Sequence, residues 1–249
     1  MLSQRIVSPN CAMNQISLLE KDTAPLFKTI RSFVHRQTGL SKERVRALNT
    51  LLTPYSLPLN EGIFNLKHIF QRNASTTLEI GFGMGHNLLK QAHCYPEQNF
   101  LGIEVHRPGV AVVLLEIERL KLHNLKIIHA DAVKVLNTCF PKNQLDRIQI
   151  FFPDPWPKRR HHKRRLIQLE FAKLLQTKLK TGGHLQLATD WEDYADHMLS
   201  VLEHTSGLKN QAGKNQFSPR LPQRPLTKFE KRGQKLGHLI WDLVFYSIN

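Results

Sequence analysis

The sequence predicts an α/β fold in which a doubly wound, mostly parallel sheet is wrapped by helices. Three observations lead there. From Ile63 onward short apolar strands alternate with amphipathic helices; a glycine-rich loop follows the first of these strands; and acidic residues recur just past the strand ends, where doubly wound sheets hold ligands. A chain of 249 residues accommodates one such domain with small additions at its ends.

Residues 1–28 read as a loosely ordered leader, and residues 29–62 as an N-terminal helical extension in which Val45, Leu48 and Leu52 fall at helical spacing. The main domain is expected over residues 63–249. Its first strands are Thr76–Ile80 (TTLEI) and Asn99–Val105 (NFLGIEV), each short, apolar and followed by turn or helix signals. A helix follows, with Pro108 at its first position and Val110, Val113, Leu114, Ile117 and Leu120 on one face. Leu125–His129 and Leu145–Phe152 are the third and fourth strands. A helix from about Lys163 to Leu179 turns Ile167, Phe171, Leu174 and Leu175 inward. GGHLQLATD supplies a glycine stop and a fifth strand, WEDYADHMLSVL another helix, and a last strand is expected near Leu239–Phe245. Ser206–Leu226, polar and turn-rich, reads as a mobile loop.

The 35 Lys and Arg against 20 Asp and Glu leave a formal charge of +15, which favours a polyanionic partner such as nucleic acid over a neutral metabolite. Cys11, Cys94 and Cys139 are widely spaced and odd in number, so neither a disulfide framework nor a zinc site is suggested, and a reducing cytoplasm fits. No apolar run approaches the roughly 18 residues that span a bilayer, and Glu20, Lys21 and Asp22 interrupt the start where a signal peptide would be apolar.

The residues after each strand carry the chemistry. The first strand runs through Glu79 into Gly81, Gly83 and Gly85, a G-x-G-x-G loop that opens a helix and lets a ligand approach the backbone. A nicotinamide fingerprint would place its third glycine at position 86, which is His86, and this counts against a dehydrogenase. Glu104, 19 residues after Gly85, stands near the separation at which an acid meets a ribose diol. Asp131 follows the third strand, where it either accepts from an adenine amine or caps the next helix. In order and each at a strand end, these acids favour a cofactor that bears adenosine.

The fourth strand delivers FFPDPWPKRRHHKRR. Pro153, Pro155 and Pro157 fix the backbone around Asp154 and Trp156, which suits a placed acid and ring or merely a rigid connector. Six of the eight residues from Lys158 to Arg165 are Lys or Arg. At the start of a helix they would add to an already positive dipole end, a penalty that phosphates would remove, so the run reads as a nucleic-acid footprint.

These stretches resemble the bacterial tRNA (guanine-N7-)-methyltransferase family, class I enzymes that depend on S-adenosyl-L-methionine. The resemblance runs from about Arg31 to the C-terminus and rests on RSFVHRQ, LEIGFGMG, GIEVHRPG, the ADA at 130–132, FPDPWPKRRHHKRR, ATDWEDYA and TKFEKRG. It implies a seven-stranded sheet and methyl transfer to N7 of a guanine at position 46 of the tRNA variable loop. It also implies that Glu79, Glu104, Asp131 and Asp154 contact the cofactor or reacting centre, with Asp154 the catalytic acidic residue and Gly81, Gly83 and Gly85 forming the cofactor loop. Lys158, Asp190, Thr227, Lys228, Phe229 and Glu230 would hold substrate, and Arg160, His161, His162, Lys163, Arg164 and Arg165 would lie on RNA. No metal is implied, and the protein would act as a monomer or homodimer in the cytoplasm. Trp156 and Phe229 could stack on an extruded base or pack in the core. Two other readings stay open: an amino-methyltransferase acting on adenine N6 or cytosine N4, since Asp154-Pro155-Trp156 is similar to the acid-Pro-Pro-aromatic motif of that class, and a non-catalytic RNA-binding protein.

Overall fold

The computed structural model describes residues 32–33, 39–59, 62–222, 224–225, 230 and 239–249; the leader expected over residues 1–28 lies outside them. Seven strands form one sheet: β1 (Thr76–Ile80), β2 (Asn99–Ile103), β3 (Leu125–Ile128), β4 (Leu145–Phe151), β5 (Leu179–Thr189), β6 (Leu208–Asn210) and β7 (Trp241–Ser247). Their order is β3-β2-β1-β4-β5-β7-β6, with β1 to β5 parallel and β7 antiparallel to both of its neighbours. The chain winds outward from β1 to β3, then restarts beside β1 with β4. The point of reversal, between β1 and β4, is where crossover connections diverge and leave a crevice.

Two apolar clusters cover the sheet. On one side α4 (His86–Cys94) and α5 (Arg107–Leu120) bring Leu88, Val113, Leu114 and Ile117 onto Phe100, Leu125 and Ile127. The other cluster joins α3 (Leu66–Phe70), α6 (Ala132–Thr138), α7 (Leu169–Lys178) and α8 (Glu192–Glu203) through Phe70, Leu136, Phe171, Leu175, Tyr194 and Met198. The central strands are buried along their whole length, which is why TTLEI and NFLGI read as continuous rather than alternating runs.

The N-terminal extension contributes α1 (Lys42–Thr50) and α2 (Leu52–Tyr55). Ser41 caps α1 by accepting from the Arg44 amide, and Ala47 and Leu48 join the α5 cluster. Beyond α2, Ser56 forms a parallel bridge with Ile127, and the Leu57 amide donates to the Ile127 carbonyl at 2.9 Å, so the extension shields the free edge of β3.

Three expectations change. The helix expected from about Lys163 begins at Leu169; Arg159–Arg164 instead form a 3-10 turn. Residues 165–168 stay outside the helix, with a bend at Leu166, and Ile167 reaches the core, where its amide donates to the Tyr194 hydroxyl at 3.1 Å. The basic run therefore precedes the α-helix, and the dipole argument built on it loses its basis. Within the segment read as a mobile loop, Leu208–Asn210 is an edge strand paired with β7. The last strand lies two residues later than expected, at Trp241–Ser247.

One contact fixes the crevice. The α position of Gly109, in the first turn of α5, faces the Gly83 carbonyl so closely that a Cβ there would stand 1.9 Å from the oxygen. Helix backbone thus rests directly on loop backbone.

Candidate active site

A cleft of about 200 Å3 opens beyond the carboxyl ends of β1 to β4. Its walls are the residues that follow each strand, among them Gly81, Glu104, Asp131 and Asp154, so four of the acids and glycines singled out in the sequence meet at one place. Gly81 and Gly83 hold φ of 74° and 55°, and no heavy atom comes within 4 Å of where a Cβ would stand at either. That is room a side chain would otherwise fill. Gly85, also left-handed, starts α4 and is packed on Val113.

Glu104 is 8 % exposed and already occupied. Its Oε2 accepts from the Gly83 amide at 2.7 Å; its Oε1 accepts from the amides of Val105 at 2.7 Å and His106 at 2.9 Å. The carboxylate ties the glycine loop to the end of β2, leaving little of its acceptor capacity for hydroxyl groups. Asp131 fulfils the capping reading: Oδ1 accepts from the Lys134 amide at 3.0 Å, starting α6, while the residue still lines the cleft.

After β4 the backbone makes two left-handed turns at residues that are not glycine, Phe152 (φ 53°) and Trp156 (φ 48°). Such conformations cost of order 1–3 kcal/mol each and persist only where the surroundings hold them. Between them Asp154 projects, exposed, at the cleft. Trp156 is held on several sides: its Nε1 donates to the Ser32 carbonyl at 3.2 Å, the Arg164 guanidinium lies 4.8 Å from the ring centre, and His161 meets it edge-on at 5.9 Å. Ser32 and Phe33 line the same cleft.

The basic turn presents Lys158, Arg159, Arg160 and Lys163 to solvent, with His161, His162 and Arg164 half-buried. Desolvation and the cations of Arg160, Arg164, Lys158 and Lys163 hold His161 below the ordinary histidine range. Arg165 corrects the expectation that it lies on RNA. Its side chain is 1 % exposed, donates to the Pro155 carbonyl at 3.0 Å and to Asp193, and stacks on Tyr194. It binds the Asp154 turn to α8 instead.

Asp190, half-buried, follows β5. Thr227, Lys228 and Phe229 lie outside the described residues. Glu230 is fully buried, and Arg224 bridges it to Asp242 of β7: Arg224 Nη1 donates to Glu230 Oε2 at 2.6 Å and Nη2 to Asp242 Oδ2 at 2.9 Å. Arg220 adds a bond to Glu230 at 2.9 Å, and Arg224 lies over the rings of Phe151 and Phe152. Burial pushes Glu230 up, but Arg220 and Arg224 outweigh it and hold the carboxyl below its usual range. Its oxygens thus serve arginines here.

Glu79 does not line the cleft wall; it is buried one residue behind it, beside Gln149 of β4 and under Asn87 of α4. Burial first, and the Glu104 carboxylate as well, push its carboxyl up to about 7 against the opposing bond from Asn87. Gln91, Gln149 and Gln186 complete an amide cluster that the sequence reading passed over. The available signal was a glutamine set inside each of two otherwise apolar strand cores, RIQIF and HLQLA.

The reversal point, the glycine loop with open space above it and the acids at successive strand ends define an S-adenosyl-L-methionine-dependent methyltransferase of the doubly wound class. Among solved structures, the 16S rRNA methyltransferase KamB matches with a TM-score of 0.54 at 13% identity, over 73% of this chain and 92% of that one. An antibiotic-related methyltransferase matches with a TM-score of 0.53 at 18% identity, over 77% and 95%. Residues 73–243 match a family described as putative methyltransferase. The tRNA (guanine-N(7)-)-methyltransferase of Alcanivorax borkumensis is 47% identical over 91% of this chain and 95% of its own length; that of Idiomarina loihiensis is 50% identical over 88% and 89%. The chain belongs to the tRNA (guanine-N(7)-)-methyltransferase family. Among the described residues no helix is long and apolar enough to cross a membrane, and no cluster of His, Cys, Asp and Glu could hold a metal ion.

Proposed function

We propose that this protein transfers the methyl group of S-adenosyl-L-methionine to N7 of a guanine in tRNA, at position 46 of the variable loop, acting in the cytoplasm as a monomer or homodimer. The observation that carries the reading is Asp154, held on a strained turn between the cleft at the reversal point and a cluster of exposed cations. The residues present fit the cofactor. Gly81 and Gly83 leave space against their backbone, Glu104 holds the glycine loop to the end of β2, Asp131 offers an acceptor at the cleft, and Glu79 stands just behind. When bound, the cofactor supplies a methyl group on a positively charged sulfonium.

Guanine N7 presents an in-plane lone pair and no proton, so no side chain has to act as general base. The chain's contribution is placement. Positive charge develops on the purine as N7 is alkylated, and Asp154, with Asp190 after β5, puts negative charge beside it in a partly desolvated site. Lys158, Arg160, His161, His162, Lys163 and Arg164 hold the phosphates that bring the guanine there. Thr227, Lys228 and Phe229 contact substrate, and the next residue, Glu230, is bonded to Arg220 and Arg224.

Incubating the protein with unmodified tRNA and methyl-labelled cofactor, then digesting the RNA and identifying the labelled nucleoside, tests the proposal. N7-methylguanosine at position 46 is expected. N6-methyladenosine or N4-methylcytidine would make it an amino-methyltransferase, and no incorporation would make it an RNA-binding protein that kept the fold.

A further inference from the structure

The amide cluster around Glu79 has a direction. Glu79, Gln149 and Gln186 are lateral neighbours on β1, β4 and β5, forming a polar row across the middle of a buried sheet. From α4, Asn87 and Gln91 lie over that row, one helical turn apart. Gln91 Nε2 donates to Asn87 Oδ1 at 2.8 Å and to Gln149 Oε1 at 2.9 Å. Gln149 Nε2 donates to Gln186 Oε1 at 2.9 Å and to Gln91 Oε1 at 3.3 Å. With its oxygen engaged by Gln91, Asn87 is held from turning over, and its Nδ2 points at Glu79 Oε2, 2.7 Å away.

The cluster therefore offers Glu79 a donor and no acceptor. A donor suits a carboxylate, whereas a protonated carboxyl needs an acceptor for its hydrogen. Yet among the described residues nothing balances the charge. β2 brings only the like-charged Glu104, the neighbours on α4 and β4 are neutral amides, and no cation pairs with Glu79. Its second oxygen, Oε1, has no donor among the described residues. A carboxylate prepared by its hydrogen bonds but short of a counter-ion is a site for a cation, and it lies next to Ile80 and two residues before Gly81, both at the cleft.

Resting on the cofactor reading above, we infer that Asn87, locked by Gln91 and Gln149, is a positioning residue that holds Glu79 as acceptor for the cationic amino group of S-adenosyl-L-methionine, and that binding is coupled to loss of a proton from Glu79. The proton passes to solvent, and an N–H···O contact from the cofactor replaces the O–H bond. Because burial and Glu104 raise the empty protein's carboxyl to about 7, the Glu79 contribution to affinity is lost as pH drops through that value, while the cofactor's own amino group sheds its charge at about pH 8 and sets the upper limit.

Calorimetric titration of the full chain with S-adenosyl-L-methionine, at pH 6, 7 and 8 and in two buffers of different ionisation enthalpy, tests the coupling. Binding about fivefold tighter at pH 7 than at pH 6 is expected, with close to one proton released at the acid end, and a fall again toward pH 8 that Glu79→Gln shares. Glu79→Gln keeps only the pH dependence that belongs to the cofactor. Asn87→Ala, which removes the donor, moves the midpoint of the wild-type profile upward by about one pH unit. Gln91→Leu, which frees Asn87 to turn, moves it the same way by less and serves if Asn87→Ala does not fold. A midpoint unmoved in the folded variant, whatever its melting temperature, would overturn the positioning role. Identical pH profiles for wild type and Glu79→Gln would overturn the proton coupling. Absence of binding by the wild type at every pH would instead sink the cofactor reading itself.

Discussion

Asp154 and Glu104 are both acids at strand ends, yet the structure gives them different work. Asp154 is exposed and its side chain has no hydrogen bond among the described residues, so it is free to face the purine. Asp154→Ala is expected to lower the single-turnover rate at saturating cofactor and tRNA by more than it changes either binding constant, because its interaction grows as the base becomes cationic. A variant slowed only through lost cofactor binding would make Asp154 a cofactor ligand. Glu104 ties three backbone amides together. Glu104→Ala is expected to lower stability by roughly 1.5–3 kcal/mol of lost charged hydrogen bonding, read as a lower melting temperature, and to weaken cofactor binding by about tenfold or more because the glycine loop is no longer held. RNA affinity, measured by filter binding, should stay within about twofold of wild type. At this scale the strand-end acids were legible because doubly wound sheets send ligands there. Arg165 and Glu230 were not. A charged letter does not say whether it faces water or an opposite charge inside, and only the approach of α8 and of Arg224 decides that for these two.

The 3-10 turn of Arg159–Arg164 is the element on which the RNA reading stands. Replacing Arg160, Lys163 and Arg164 together by Gln is expected to weaken binding to many RNAs alike. It should flatten the slope of log affinity against log salt by roughly 0.7–0.9 per phosphate contact, so by about two units or more in all. Cofactor affinity should survive. Arg165→Ala makes the contrast: it should leave the salt slope unchanged while lowering the denaturant midpoint, since its partners are Pro155, Asp193 and Tyr194. An altered slope with unaltered stability would return Arg165 to the RNA face. The elements themselves were readable where periodicity ran long, as in α5, whose bounds at Arg107 and Leu120 the sequence marks with a proline and an apolar stripe. β6 escaped because three residues carry no period, and its pairing depends on β7, 31 residues further on.

Across the whole molecule, the pinning of the C-terminal segment to the sheet depends on Arg224. It is 2 % exposed and joins Glu230 and Asp242, which are buried with it. Arg224→Met should cost about 3–5 kcal/mol, a large part of a domain's total, because it leaves the buried Asp242 without its cation and takes one of two arginines from Glu230. Urea unfolding measures this, and a loss under about 1 kcal/mol would show that Arg220 alone sustains the network. The doubly wound, mostly parallel sheet was implied by the alternation of strands and helices together with the family likeness. This anchor was not, since it closes between residues brought together only by the antiparallel return of β7.

The rest of Gly109 on the Gly83 carbonyl has a consequence for how this lineage can vary. Because the shape of the cofactor loop is moulded by main chain against main chain, the exposed letters of that loop, Met84 and His86, are free to drift without re-tuning it. Part of the burden of inheritance therefore falls on a position outside the loop. One added carbon at residue 109 would meet an oxygen that has no side chain to swing aside, and the loop would have to leave its place.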